Sequence, residues 1–190
     1  MLFRSDRDLS VTKGGVNLPC HVRPYFKPYL LFNCSDSLER KVGTSTVNDT
    51  EALVVAQLLF RLRKEYPNLV NHNRVALISP YRAQLTNLIQ KLKSVFGSEF
   101  NRKLVEVNTI DGFQGREKEA ILLTMVRCND RQEIGFLADT RRTNVAMTRA
   151  RRCLMMVGDS ATLGSNAFYA SLLEHFDQQN TYRSVWEFLT

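Results

Sequence analysis

The chain has 190 residues, 44% hydrophobic and 24% charged, with a formal net charge of +7. That composition describes one globular domain with a substantial core and excludes a disordered or low-complexity chain. The basic excess favours an anionic partner (nucleic acid, nucleotide or an acidic surface) without choosing among them.

In chain order, residues 1–28 read as an irregular lead-in, broken by Gly14, Gly15, Pro19, Pro24 and Pro28, and residues 29–190 as the domain proper. "YLLFNC" (29–34) predicts a first short strand, and "ERKVGTST" (39–46) a polar loop. A helix starts after Asn48, which has Glu51 three residues on and apolar groups at Ala52, Val55, Ala56, Leu59 and Leu62. "RVALISP" (74–80) predicts a buried strand, and residues 81–96 an amphipathic helix with Pro80 at or near its first turn. Strands are expected at 105–111, 120–127 and 153–159, and helices at 141–151, 166–177 and 183–189. Short apolar strands alternating with helices predict an α/β fold: a mainly parallel sheet covered on both faces, with ligands beyond the strand ends.

No apolar run approaches the ~18 residues that a membrane span needs. Cys20, Cys34, Cys128 and Cys153 share no CxxC spacing; Cys34 and Cys153, which flank apolar runs, are expected as buried thiols, and a reducing compartment fits. His21, His72 and His175 are isolated, so no metal site is expected.

Three segments carry chemistry. In "SPYRAQ", Tyr81 and Arg82 stand where a strand hands over to a helix, so the Arg could fork onto a phosphate and the Tyr stack on a base. A packed Tyr beside a solvated Arg is the plainer alternative. "TRRTNVAMTRARRC" (140–153) holds five arginines and no acid; on a continuous helix Arg142, Ala146 and Arg149 share one face, and Asn144, Thr148 and Arg151 another. One face would suit a polyphosphate and the other packing or a nucleic-acid backbone; a solvated basic helix is the alternative. In "DGFQGREKE", Gly112 and Gly115 permit a tight turn, and Gln114 and Glu117 supply donors and acceptors. Here the alternative is a loop whose Glu and Arg pair with each other. No G-x-x-x-x-G-K-[ST] occurs, so the chain is equipped to touch a nucleotide's outer phosphates without the loop that holds it.

Together and in this order, "ALISPYRAQ", "VNTIDGFQGREKEAILLTMVR" and "GFLADTRRTNVAMTRARRCLMMVGD" resemble motifs IV, V and VI of the second RecA-like domain of superfamily 1B helicases. That group includes the nonsense-mediated-decay helicases, senataxin and the immunoglobulin mu-binding helicase, and the tail from Asn166 is most similar to the last of these. The likeness is strong over about 74–189, weaker over 44–66 and poor over 1–40. It implies a three-layer RecA-like fold and the carboxy-terminal half of an ATP-dependent 5′→3′ helicase, incomplete alone because motifs I, II and III are absent from this sequence.

By the same resemblance Arg82 and Arg149 would be arginine fingers converging on one spot, and Tyr81 would stack near the adenine. Gln114, Gly115, Glu117 and Arg142 would contact the nucleotide, while Pro80, Thr109, Asn144 and Thr148 would face the nucleic-acid backbone. ATP with Mg2+ is the implied cofactor, its metal ligands lying on the first RecA-like domain. Single-stranded DNA or RNA and that first domain are the implied partners, in the nucleus or cytoplasm. A degenerate helicase domain, binding nucleic acid or protein without catalysis, is the competing expectation.

Overall fold

The computed structural model describes residues 27–35 and 37–187, so most of the predicted lead-in and Cys20 lie outside the described residues. Six strands form one sheet: β1 (Tyr29–Asn33), β4 (Val75–Ser79), β5 (Glu106–Thr109), β6 (Lys118–Thr124), β7 (Ala150–Gly158) and β8 (Tyr182–Ser184). Their order is β5-β4-β6-β7-β1-β8, and every neighbouring pair is parallel.

Alternation along the strands feeds two cores. Leu30 and Phe32, Val75 and Leu77, Ala120 and Leu122, and Met155 and Val157 face one way. They meet α1 (Asp49–Glu65), α2 (Pro67–Asn71) and α3 (Arg82–Phe96). Leu31, Ala76, Ile78, Ile121, Leu123, Leu154 and Met156 face the other way, toward α4 (Thr140–Met147), α5 (Ser160–Leu163) and α6 (Ala167–Gln178). Both faces are buried, which is why the strands read as unbroken apolar runs rather than alternating ones. This is the three-layer RecA-like arrangement.

Four expectations about local structure need correction. The predicted polar loop is an antiparallel hairpin, β2 (Glu39–Val42) and β3 (Ser45–Asn48), turned at Gly43 with φ 58°. The helix drawn over 141–151 stops at Met147, because pairing with β6 pulls Ala150 and Arg151 into β7. The closing helix at 183–189 is instead the edge strand β8 followed by a 3-10 turn at Val185–Glu187; residues 188–190 are not described. The short helices α2 and α5 have no counterpart in the sequence reading. Cys34, Cys128 and Cys153 are buried free thiols, and burial pushes the Cys34 thiol up to about 12.

Candidate functional site

Because all six strands run the same way, the sheet has one rim of carboxyl ends and one of amino ends. Pro80, Tyr81 and Arg82 follow β4 at the carboxyl rim, and Thr109 ends β5 there. Arg149 precedes β7 at the amino rim, where its carbonyl accepts from the Lys118 amide at the start of β6, 3.1 Å away. The segment from Ile110 to Glu117 passes from the carboxyl end of β5 to the amino end of β6, and packs Ile110 and Phe113 against the α4 core. The seven residues of β6 separate the rims by roughly 20 Å at ~3.3 Å per residue. The structure therefore does not bring Arg82 and Arg149 to one spot. It divides the predicted residues between two rims.

At the carboxyl rim, Arg82 opens α3 exposed, and no hydrogen bond or ion pair engages its side chain among the described residues. No acid sits in that first turn, so a cation stands unpaired at the positive end of a helix dipole. Tyr81 is buried, 3% exposed, with its ring 5.5 Å from that of Phe136 and its hydroxyl accepting from Arg127 Nη1 at 3.5 Å. A base could reach the Tyr81 ring only if Phe136 moved, so the packed-Tyr alternative describes this side chain. Thr109 is half-buried, its hydroxyl accepting from the Gly112 amide at 3.1 Å. Arg142, near the start of α4, lies on this side too, 3.3 Å from Asp111 and lining a shallow cleft with Pro80 and Phe136.

At the amino rim the arginine-rich segment is not the unrelieved positive charge that its sequence suggests. Arg151 pairs with Glu117 at 3.0 Å and Arg152 with Glu119, while Arg141, beside Arg142 in the first turn of α4, pairs with Asp139 at 3.3 Å. Arg149 differs: Nε donates to the Val145 carbonyl at 3.3 Å, and no acid pairs with its guanidinium among the described residues. That bond caps a carbonyl at the end of α4 and leaves the two terminal nitrogens uncommitted. Gln114 and Gly115 are exposed in the crossing segment, Gly115 with φ 74°, a conformation few side chains tolerate. Thr148 is exposed beside Arg149 and donates to the same Val145 carbonyl at 2.9 Å, while Asn144 is half-buried one turn earlier. Thr148 is thus grouped with Arg149 rather than with Pro80 and Thr109. The pairing imagined within the loop is replaced by partners outside it, since Arg116 pairs with Glu106 and Glu117 with Arg151.

Sequence reasoning assigned no role to the residues after β6, although Arg127, Gly135 and Phe136 fall within the quoted motifs. Arg127 is 5% exposed, with Nε 2.8 Å from Glu39 Oε2 on the β2–β3 hairpin. Gly135 has φ 55°, and any Cβ there would collide with the Arg127 guanidinium and the Tyr81 hydroxyl. Next to it, Phe136 is 62% exposed. An isolated glycine between Ile134 and Phe136 was the available signal. Among the described residues no cluster of three or more His, Cys, Asp or Glu could hold a metal, and no helix is long and apolar enough to cross a membrane.

The sequence matches the family of AAA domains over residues 6–161. It is 38% identical over 158 residues to the probable helicase MAGATAMA 3 of Arabidopsis thaliana, covering 82% of this chain and 19% of that protein. Helicase sen1 of Schizosaccharomyces pombe is 35% identical over 154 residues, 81% of this chain and 9% of that one. DNA-binding protein SMUBP-2 of Mesocricetus auratus is 42% identical over 120 residues, 63% of this chain and 12% of that one. The chain thus spans less than a fifth of each of these relatives. Matched by the family over most of its length, this chain belongs to the AAA-domain family, and relatives similar to it over this stretch are named as helicases.

Proposed function

We propose that this chain is the second RecA-like domain of an ATP-dependent 5′→3′ helicase, with its amino rim facing the nucleotide and its carboxyl rim facing single-stranded nucleic acid. One observation carries the reading: among the described residues Arg141, Arg142, Arg151 and Arg152 are each paired with an acid, whereas Arg149 has no acid partner and keeps its two terminal guanidinium nitrogens uncommitted. A phosphate accepts such a fork bidentately. ATP with Mg2+ supplies the reactive phosphoryl group, and the metal ligands would belong to a P-loop-bearing first domain. Arg149 would stabilise charge on the outer phosphates. Glu117, held by Arg151, would turn a remaining carboxylate oxygen to the ribose, and Gln114 and Gly115 would present the crossing segment to the nucleotide. The 42% identity to SMUBP-2 and the tail from Asn166 support the immunoglobulin mu-binding type within superfamily 1B.

The test is reconstitution. Joined to a P-loop-bearing RecA-like domain of the same family, the chain should give ATPase activity that single-stranded DNA or RNA stimulates; unstimulated turnover at the rate of the P-loop domain alone would refute the proposal.

Arg82 takes a different role from the one the motif resemblance implies. With Pro80 and Thr109 beside it and Arg149 at the far rim, it would hold a backbone phosphate. Arg82→Ala should weaken oligonucleotide binding about equally across sequences, and should reduce the slope of log affinity against log salt by about 1. Anisotropy titrations at several salt concentrations read both quantities.

A further inference from the structure

We propose that Phe136 is a stacking platform for a base of single-stranded nucleic acid. The proposal deepens the assignment of the carboxyl rim above and rests on it. Large apolar side chains are normally exposed singly and mean little. Phe136 is different because the turn that presents it is pinned from several directions. Gly135, immediately before it, lies so close to the Arg127 guanidinium and the Tyr81 hydroxyl that any Cβ there would collide with them. Leu137, immediately after, is 1% exposed, and its carbonyl accepts from the Tyr169 hydroxyl at 2.9 Å. Thr143 on α4 bonds the same hydroxyl at 2.7 Å. At the start of the loop, the Asn129 side chain both accepts from the Glu133 amide and donates to the Glu133 carbonyl, each at 3.0 Å. The backbone is held on both sides while the ring between them remains 62% exposed. Such a ring cannot fold inward to hide, since Tyr81 already fills the space beneath it.

Its surroundings suit a base on a polyanion. Pro80 and Arg142 line the shallow cleft beside it, and the acid in that cleft, Asp111, is offset by Arg142 at 3.3 Å. Arg82, unpaired and exposed, follows directly on the tyrosine that supports the ring. An aromatic face beside an unpaired cation is the pairing by which single strands are held without regard to sequence, because every base has a flat face. The base of a nucleotide bound at Arg149 is a poor candidate, since the rims lie roughly 20 Å apart.

The test compares a fluorescent single-stranded oligothymidylate with an abasic sugar–phosphate strand of equal length and charge, using this chain, Phe136→Ala and Phe136→Trp. Expected is that wild type binds the base-bearing strand more tightly, that Phe136→Ala weakens that binding about tenfold, and that binding of the abasic strand is unchanged by the substitution. In a Trp186→Phe background, Phe136→Trp should bind like wild type, and its indole fluorescence should be quenched by the oligonucleotide and not by ATP. Equal wild-type affinity for the two strands, undiminished binding by Phe136→Ala, or quenching by ATP instead of the oligonucleotide would each overturn the platform while leaving the nucleic-acid rim in place. Failure of wild type to bind either strand at low salt would overturn both.

Discussion

Arg149→Ala should reduce nucleic-acid-stimulated ATPase of the reconstituted helicase by about 10³-fold or more, with binding of single-stranded DNA or RNA nearly unchanged. The magnitude follows from the function assigned to the side chain. Guanidinium groups that stabilise charge on a transferring phosphoryl are worth ~10³–10⁵ in rate, or about 4–7 kcal/mol of barrier. The fold should survive because Arg149 lies beyond the last residue of α4, is only partly buried, and contributes one bond to Val145 at 3.3 Å. Losing one such cap costs on the order of 1 kcal/mol. Arg149→Lys keeps the charge and should recover little, because an ammonium cannot donate to the Val145 carbonyl and fork onto a phosphate at once. Arg82→Ala is the internal control: it should leave turnover at saturating nucleic acid near the parental value and raise the concentration of strand needed to reach it. Equal damage from the two substitutions would mean that the rims do not divide the work. Parental turnover by Arg149→Ala would remove Arg149 from the reaction.

That division shows what the sequence disclosed and what it concealed. The parallel sheet was legible because β4, β6 and β7 are buried on both faces and so appear as the uninterrupted runs "VALIS", "AILLT" and "CLMMV". The hairpin was not, because β2 exposes Arg40, Lys41 and Val42 and has no apolar alternation to announce it. The end of α4 carries no Gly or Pro; what stops the helix is the parallel register of Ala150 against Lys118, a contact 32 residues away in sequence that no local pattern encodes. The same error placed Arg149 and Arg151 on helix faces that do not exist. The motifs correctly located the residues near strand ends, but not which end. Only the crossing of Ile110 to Glu117 from one rim to the other separates residues that the resemblance had set around one ligand. Charge was misread for a similar reason: the acids that offset Arg151 and Arg152 lie on β6 and just before it, more than thirty positions earlier in the chain.

Stability should depend on pH through one carboxyl group, Glu51. In sequence it looked like the N3 partner of Asn48 in a capping box, and half of that holds: the Asn48 side chain accepts from the Glu51 amide at 3.0 Å. The return bond does not form, since Gln84 Oε1 takes the Asn48 amide at 3.0 Å. Glu51 instead turns inward, 0% exposed, where Oε2 accepts from Thr124 Oγ1 at 2.6 Å and from the Val126 amide at 2.8 Å. Val126 has φ 74°, an unusual backbone for a β-branched residue, so this carboxyl pins a strained link between β6 and the Arg127 segment. Burial raises its pKa to about 8 against the pull of those hydrogen bonds. The folded state therefore keeps a proton that the unfolded chain releases near pH 4.3. Protons bound by the folded state alone stabilise it at low pH, and that contribution is lost as pH rises from about 5 through 8, at up to ~1.4 kcal/mol per unit and several kcal/mol in all. Urea midpoints of the wild-type chain should fall across this window. Glu51→Gln, a neutral mimic of the protonated form, should show a flat profile and exceed wild type at pH 8.5. Glu51→Leu should lose about 3 kcal/mol even at pH 5, because the Val126 amide and Thr124 hydroxyl are left buried without that acceptor. A wild-type midpoint that rises from pH 5 to 8, with Glu51→Gln below it throughout, would mean that the carboxylate is ionised in the fold and that its hydrogen bonds outweigh its burial.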